Sequence, residues 1–199
     1  MPGSRQTLNT QSHRPPDAVT VRRFEALVLP HTDSAYNLAL RLTRQSEAAE
    51  DVVHDAFLRA LTGFALWRGG DARAWLLTIV RHRAYDWLAE RKRNFTLPLA
   101  TADGEDADDD IDFDIADPGQ ETPERILIHK GEAAALIALL DALPPRLREV
   151  LVLREIEDLT YRQIAEVTDA PIGSVMSRLA RARARLGEAS RRLNRGLDR

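Results

Sequence analysis

Four arginines, Arg178, Arg181, Arg183 and Arg185, crowd one short stretch, Tyr161–Leu186, with Ser174 and Ser177 just upstream. A guanidinium forks onto a phosphate or a guanine edge, and a serine hydroxyl contacts backbone or base. The chemistry these residues offer is therefore recognition of a nucleic acid. It needs the arginines on the exposed side of a helix held firmly from behind, and the surrounding residues supply both. Thr160 is placed to cap a first helix, and Gln163, three residues on, completes a capping box. Ile164, Ala165 and Val167 give that helix an apolar side. Asp169-Ala170-Pro171 then breaks it, and Asp tolerates the left-handed backbone such a turn requires. Val175, Leu179 and Leu186 recur at helical spacing beyond the break, leaving Arg178, Arg181 and Arg185 to step along the outside. Small Ala165 permits a close helix crossing that Val175 plugs. The pattern predicts a helix-turn-helix whose basic second helix lies in a DNA major groove. An arginine-rich amphipathic helix is also a common solvated surface element, so the stretch alone leaves that alternative standing.

The charge of the whole chain conceals this basic character. Its 199 residues carry a formal net charge of −3. From Asp103 to Glu121, however, the chain has ten acidic residues and no Lys or Arg. With those set aside, 28 basic residues face 21 acidic ones. A basic protein thus carries an acidic insert. Cysteine is absent, which excludes disulfides and thiolate metal sites and fits a reducing cytoplasm. His13, His31, His54, His82 and His129 are scattered and never at ligand spacing, so no metal is expected. DADDDIDFDIAD alternates like a calcium loop, but Ile111 stands where Gly is needed and Asp117 where Glu is wanted. No apolar run reaches membrane-spanning length, and the N-terminus lacks the apolar core of a signal peptide.

Residues 1–16 read as a disordered lead-in, 17–94 as a helical block, 95–121 as a flexible acidic linker and 122–199 as a second helical block. In the first block Phe24, Leu27 and Val28 mark one helix, and Tyr36, Ala39, Leu40 and Leu42 mark its continuation beyond Pro30 or a second helix. Ser46 is placed to cap the next helix, with Glu47, Glu50 and Asp51 at its positive end. Val52, Val53, Ala56, Phe57 and Leu61 form its buried stripe, and Gly63 ends it. A Gly-flanked loop, Phe64–Gly70, leads to Asp71, a cap for a long helix with Trp75, Leu76, Ile79 and Val80 inside. In the second block Thr122-Pro123 starts a helix, Ile126–Leu140 is apolar, and Pro144-Pro145 precedes a segment whose Leu147, Val150, Leu151 and Leu153 back the helix-turn-helix. Trp75 and Trp87 read as core, and Arg146, Arg148 and Arg154 as surface. Neither block shows a strand pattern, a phosphate-binding glycine loop, a nucleophile elbow or an acid/base pair. The fold expected is all-α, two small helical domains joined by a flexible linker.

Three stretches together resemble the extracytoplasmic-function (ECF) class of bacterial sigma factors: AEDVVHDAFLRA, the basic helix AWLLTIVRHRAYDWLAERKR, and the segment from Leu143 to Gly187 with the helix-turn-helix. The resemblance spans about residues 24–93 and 137–192. It implies a promoter-reading subunit of RNA polymerase and no cofactor. By position, Asp51, Val52, Asp55, Phe57 and Leu58 would meet the polymerase clamp. Trp67 and Arg68, in the Phe64–Arg73 loop, would hold a base flipped from the −10 element, since aromatic and guanidinium faces stack on unpaired bases. Arg73, Arg81, Arg83, Arg91, Lys92 and Arg93 would follow its strand. Ser174, Ser177, Arg178, Arg181 and Arg185 would read the −35 duplex while the same domain docks on the polymerase flap. The linker would thread toward the polymerase active centre. The resemblance also implies an anti-sigma partner, residence in the bacterial cytoplasm and no enzymatic activity of the chain's own. His54, His82, Met176 and Asp169 stand where the family more often has Gln, Asn, Lys or Arg, and Gly, which leaves the promoter sequence open. The rival readings are a stand-alone helix-turn-helix repressor or activator and a helical protein-interaction module.

Overall fold

In the computed structural model, residues 17–95 and 135–197 are described, and all the regular structure among them is helical. Helix α1 (Ala18–Leu27) starts at Asp17, whose carboxylate accepts from Thr20 N–H at 2.7 Å. A single 3₁₀ turn around Pro30 (Leu29–His31) separates it from α2 (Thr32–Thr43), so the chain beyond Pro30 forms a second helix. Arg44 stops α2 in the left-handed conformation. Helix α3 (Ser46–Gly63) departs from expectation by one residue. Gln45 is the extended residue before it and Ser46 already lies inside, so Ser46 makes no cap. No side chain caps α3 in its place; the Thr43 hydroxyl donates instead to the Ala39 carbonyl at the end of α2. After the 3₁₀ turn Phe64–Leu66, Gly69 and Gly70 take φ of +92° and +103°, where a side chain would be strained, and reverse the chain into α4 (Ala72–Phe95). Asp71 caps α4 as expected, accepting from the N–H groups of Arg73 and Ala74.

Residues 135–141 form α5, and α6 runs Pro145–Leu151, its last turn widening into a π segment, Val152–Ile156. In α7 (Tyr161–Thr168) Thr160 and Gln163 build the full capping box, and Asp169 ends it at φ 49°, ψ 50°, the left-handed stop read from the sequence. Helix α8 (Ile172–Leu197) follows. The expected lead-in, most of the acidic linker and the apolar stretch from Ile126 up to residue 134 lie outside the described residues.

Two helical layers result. In the first, α2, α3 and α4 pack on one another, with Leu38, Leu42, Leu76, Leu77 and Val80 buried and Ala35, Ala39, Ala49, Ala56, Ala60 and Ala84 small enough to let the helices approach. In the second, Val150, Leu153, Leu159, Ile164, Val167, Val175 and Leu179 are buried among α6, α7 and α8. Sequence reading treats the two blocks as separate domains, whereas here they share a seam. Helix α4 packs against α7, and α2 against α6, within one continuous apolar cluster.

The seam is also polar. Glu149, fully buried on α6, accepts from Arg81 Nε of α4 and, at 3.2 Å, from the Tyr85 hydroxyl. Arg148 is buried too, a correction to its surface reading. Its guanidinium donates to the carbonyls of Arg41 (2.6 Å), Asp141 (2.8 Å) and Leu143 (2.7 Å). Burial lowers the Arg148 pKa to about 10, with nearby Arg44 adding to the effect, so it stays charged at neutral pH. Burial pushes the Glu149 carboxyl upward against the pull of Arg81 and Tyr85, and raises the Tyr85 phenol. Three carbonyls hold the Arg148 charge although its Nε is left without a partner, whereas Glu149 and Arg81 are paired with each other, because either alone would carry a desolvation cost of several kcal/mol. At one end of the seam Gln163 of the capping box donates to Asp71, the cap of α4, so one pair of caps ties the two blocks together.

Candidate nucleic-acid interface

The helix-turn-helix holds α8 from behind through Val175, Leu179 and Ala182, all at most 1% exposed. Outward, Ser177, Arg181 and Arg185 are exposed, Ser174 and Arg178 half-buried. The five residues expected to read duplex thus lie on one helix and reach its solvent side or flank. Arg178 sits near enough to Glu149 to lower its carboxyl, so the recognition helix touches the seam electrostatically. Arg183 differs from its neighbours. It donates to Glu155 at 2.6 Å and braces α8 against the π segment.

The loop after α3 builds a second surface. Trp67 is half-buried rather than free in the loop. It stacks on Phe64 (centroids 5.3 Å apart, planes 23° apart) and lies 5.7 Å from Trp75. Phe64 in turn meets Phe24 edge-on at 5.5 Å. An aromatic row therefore runs from the core to the surface and fixes the orientation of Trp67. Beside it opens a concavity of about 380 Å³ lined by Arg59, Gly63, Leu66, Trp67, Trp75, Ile79, His82 and Arg83. Trp75 is thus only half a core residue; its other side lines this hollow. Arg68 is exposed, and Leu66 is 83% exposed at the rim.

Two expected strand contacts are already engaged within the protein. Arg81 belongs to the seam. Arg83 bridges Asp55 at 2.6 Å and Asp86 at 2.8 Å, and although burial opposes its charge, these carboxylates raise its pKa. Arg91 lies over the Trp87 ring at 5.3 Å, and Arg73 is half-buried at the start of α4. Of the expected −10 group, Arg68, Lys92 and Arg93 are exposed.

A third surface is the outer face of α3. Asp51 and Leu58 are exposed, Leu58 by 51%, and Asp55 is half-buried beside Arg83. Val52 is not on this face. At 4% exposure it belongs to the core stripe with Ala49 and Ala56, a correction to its place among surface contacts. Phe57 is half-buried, edge-on to Phe24 at 6.3 Å. The residues that sequence reading missed are those of the seam, Glu149 and Tyr85. A glutamate in a surface-like helix segment carries no local signal of burial.

Residues 27–94 match the Sigma-70 region 2 family model and residues 133–186 the Sigma-70, region 4 model. The chain belongs to the sigma-70 family of transcription initiation factors, and within that family to its ECF group. It is 34% identical to the RNA polymerase sigma-H factor of Pseudomonas aeruginosa over 169 residues, 84% of this chain and 86% of that one. To the ECF sigma factor SigE of Mycolicibacterium smegmatis it is 30% identical over 170 residues, 85% and 62% of the two chains. The structure resembles the sigma factor RpoE in its co-crystal with the anti-sigma factor NepR from Bartonella quintana. The TM-score there is 0.63 at 22% identity, over 85% of this chain and 98% of that one. It also resembles CnrH in complex with the cytosolic domain of CnrY, with TM-score 0.55 at 23% identity over 84% and 87%. At those identities the likeness is of fold. Among the described residues no helix is long and apolar enough to cross a membrane.

Proposed function

We propose that this chain binds core RNA polymerase and directs it to promoters, reading a −35 element as duplex with α8 and a −10 element as unpaired strand with the Trp67 loop. The observation that carries this reading is the pairing, in one chain, of a braced basic recognition helix with a second, aromatic-lined hollow on a separate helical block. A stand-alone repressor needs only the first. The polymerase supplies the catalysis, and the chain acts where the polymerase is, in the cytoplasm. By analogy with the RpoE complex, an anti-sigma protein is its expected regulator.

The clamp-facing surface is Asp51, Asp55 and Leu58. Asp51→Arg combined with Leu58→Asp is expected to cut co-purification with core polymerase about ten-fold or more, the scale of losing a central interface contact, while the helical signal is unchanged because both side chains are exposed. Unchanged recovery would remove α3 from the docking surface.

On α8, Arg178→Ala or Arg181→Ala is expected to weaken −35-dependent transcription. A lost base contact costs about 1–3 kcal/mol and relaxes preference at one position, whereas a lost phosphate contact weakens all sequences alike and reduces the salt slope by about one. Normal −35 dependence in both variants would mean that α8 does not read the duplex.

The closed seam bears on how the two readings are combined. Elements about 25 base pairs apart are separated by roughly 85 Å at 3.4 Å per step, while α4 and α7 touch. The seam must therefore part before both elements are held. Closed, the chain is a resting form in which Glu149 occupies the Arg81 guanidinium that a strand phosphate would otherwise take.

A further inference from the structure

We infer that Met176 is a specificity-determining residue, reading the C5 methyl of a thymine in the −35 duplex; the inference rests on the functional reading above and deepens it. Met176 is 52% exposed on the first turns of α8, one helical turn beyond Ile172, itself 45% exposed. Ile172 and Met176 together leave two large apolar side chains in water at the opening of α8, available to a partner. The composition of the face says which. From Ile172 to Gly187 the helix has no acidic residue, and Ser177, Arg181 and Arg185 are exposed further along it. Such a face complements a polyanion that also presents apolar points, and the major groove of DNA is one. Its phosphates take the arginines, and the thymine methyl is its single apolar feature. Position agrees. The N-terminal residues of a recognition helix meet base edges, and residues further along meet backbone. Here Ile172 and Met176 come first and the arginines follow. Methionine suits the contact, because an unbranched thioether adapts to a methyl group without demanding one geometry. No guanidinium precedes Arg178 on this helix, so its opening turn has no bidentate guanine reader.

The test uses the full chain with core polymerase and a promoter library randomised across the −35 element. The best wild-type template is then resynthesised with deoxyuridine replacing each −35 thymine in turn, on either strand, which removes only the methyl group. Wild type is expected to lose about four-fold at one position, the size of one methyl-scale apolar contact. Met176→Ala is expected to transcribe the thymine and uracil templates equally at that position and to keep its other preferences. Met176→Arg is expected to change the enriched base pair there to one presenting guanine, a gain that a purely structural residue would not give. Because Met176 is exposed, all three proteins should melt alike. The inference is overturned if Met176→Ala keeps the wild-type thymine-to-uracil ratio at every position, if the selected element requires no thymine, or if Met176→Ala weakens polymerase binding instead of base preference. Absence of any promoter-dependent transcript from the wild type would overturn the functional reading itself and this inference with it. A wild type that transcribes yet ignores the methyl overturns this inference alone.

Discussion

Glu149→Ala is expected to shift the closed body toward the open one by roughly two to four powers of ten. Removing one member of a buried ion pair costs about 3–5 kcal/mol, because the survivor is left charged and unpaired in protein. Here the survivor is Arg81, only 17% exposed and on the opposite side of the seam, so parting the seam is the route by which it regains water. The absence of cysteine makes the measurement simple. Cysteines introduced at the exposed positions Glu50 on α3 and Glu188 on α8 carry a fluorophore pair. Energy transfer should fall in Glu149→Ala and association with core polymerase should speed up. The double variant Arg81→Met with Glu149→Leu replaces the pair by apolar groups of similar volume, which is often neutral or stabilising. It should stay closed, separating loss of the pair from loss of region four's own fold. Energy transfer in Glu149→Ala equal to wild type would show that the pair does not hold the seam.

Trp67→Ala with Arg68→Ala is expected to depress opening of the −10 element while leaving α8 and its duplex contacts in place. Stacking on an unpaired base is worth about 1–3 kcal/mol, and flipping that base costs a few kcal/mol that the receiving surface must offset. Trp67 is held ready for this by Phe64 and Trp75, so its loss removes an already oriented ring rather than a flexible one. Permanganate reactivity of unpaired thymines should fall about five-fold or more on a matched template and recover on one already mismatched across the element. Equal opening by mutant and wild type on the matched template would leave the first block with polymerase docking only.

What was legible in the sequence follows from how far apart the interacting residues lie. The Thr160–Gln163 box, the Asp71 cap and the left-handed Asp169 stop are rules of three or four residues, and each appears as read. The apolar stripes of α3 and α8 were equally plain, because helical periodicity is local. By spacing Val52 fits the buried stripe of α3 and by resemblance the surface contacts; burial decides for the stripe, since its spacing from Ala49 and Ala56 puts it on the inner face. Ser46 makes no cap because the helix already includes it, and Gln45, the extended residue before it, makes no side-chain cap bond. The seam was illegible. Arg81 and Glu149 are 68 residues apart and Arg148 reaches the carbonyl of Arg41 across 107. Charged side chains in amphipathic segments are ordinarily solvated, so nothing local marks these as buried. For the same reason the aromatic row behind Trp67, which depends on Phe24 of α1, was not visible from the loop alone.

Run-off transcription from a fragmented genomic library, with core polymerase alone and with core polymerase plus this chain, tests the sigma-factor reading most directly. The chain should create start sites absent from the core reaction, preceded by two sequence motifs at one fixed spacing. The free chain should bind those fragments weakly at physiological salt, because both reading surfaces are small and the acidic insert opposes phosphate approach. No new start sites, together with tight and sequence-specific duplex binding by the free chain, would contradict it and identify a repressor-type helix-turn-helix protein instead.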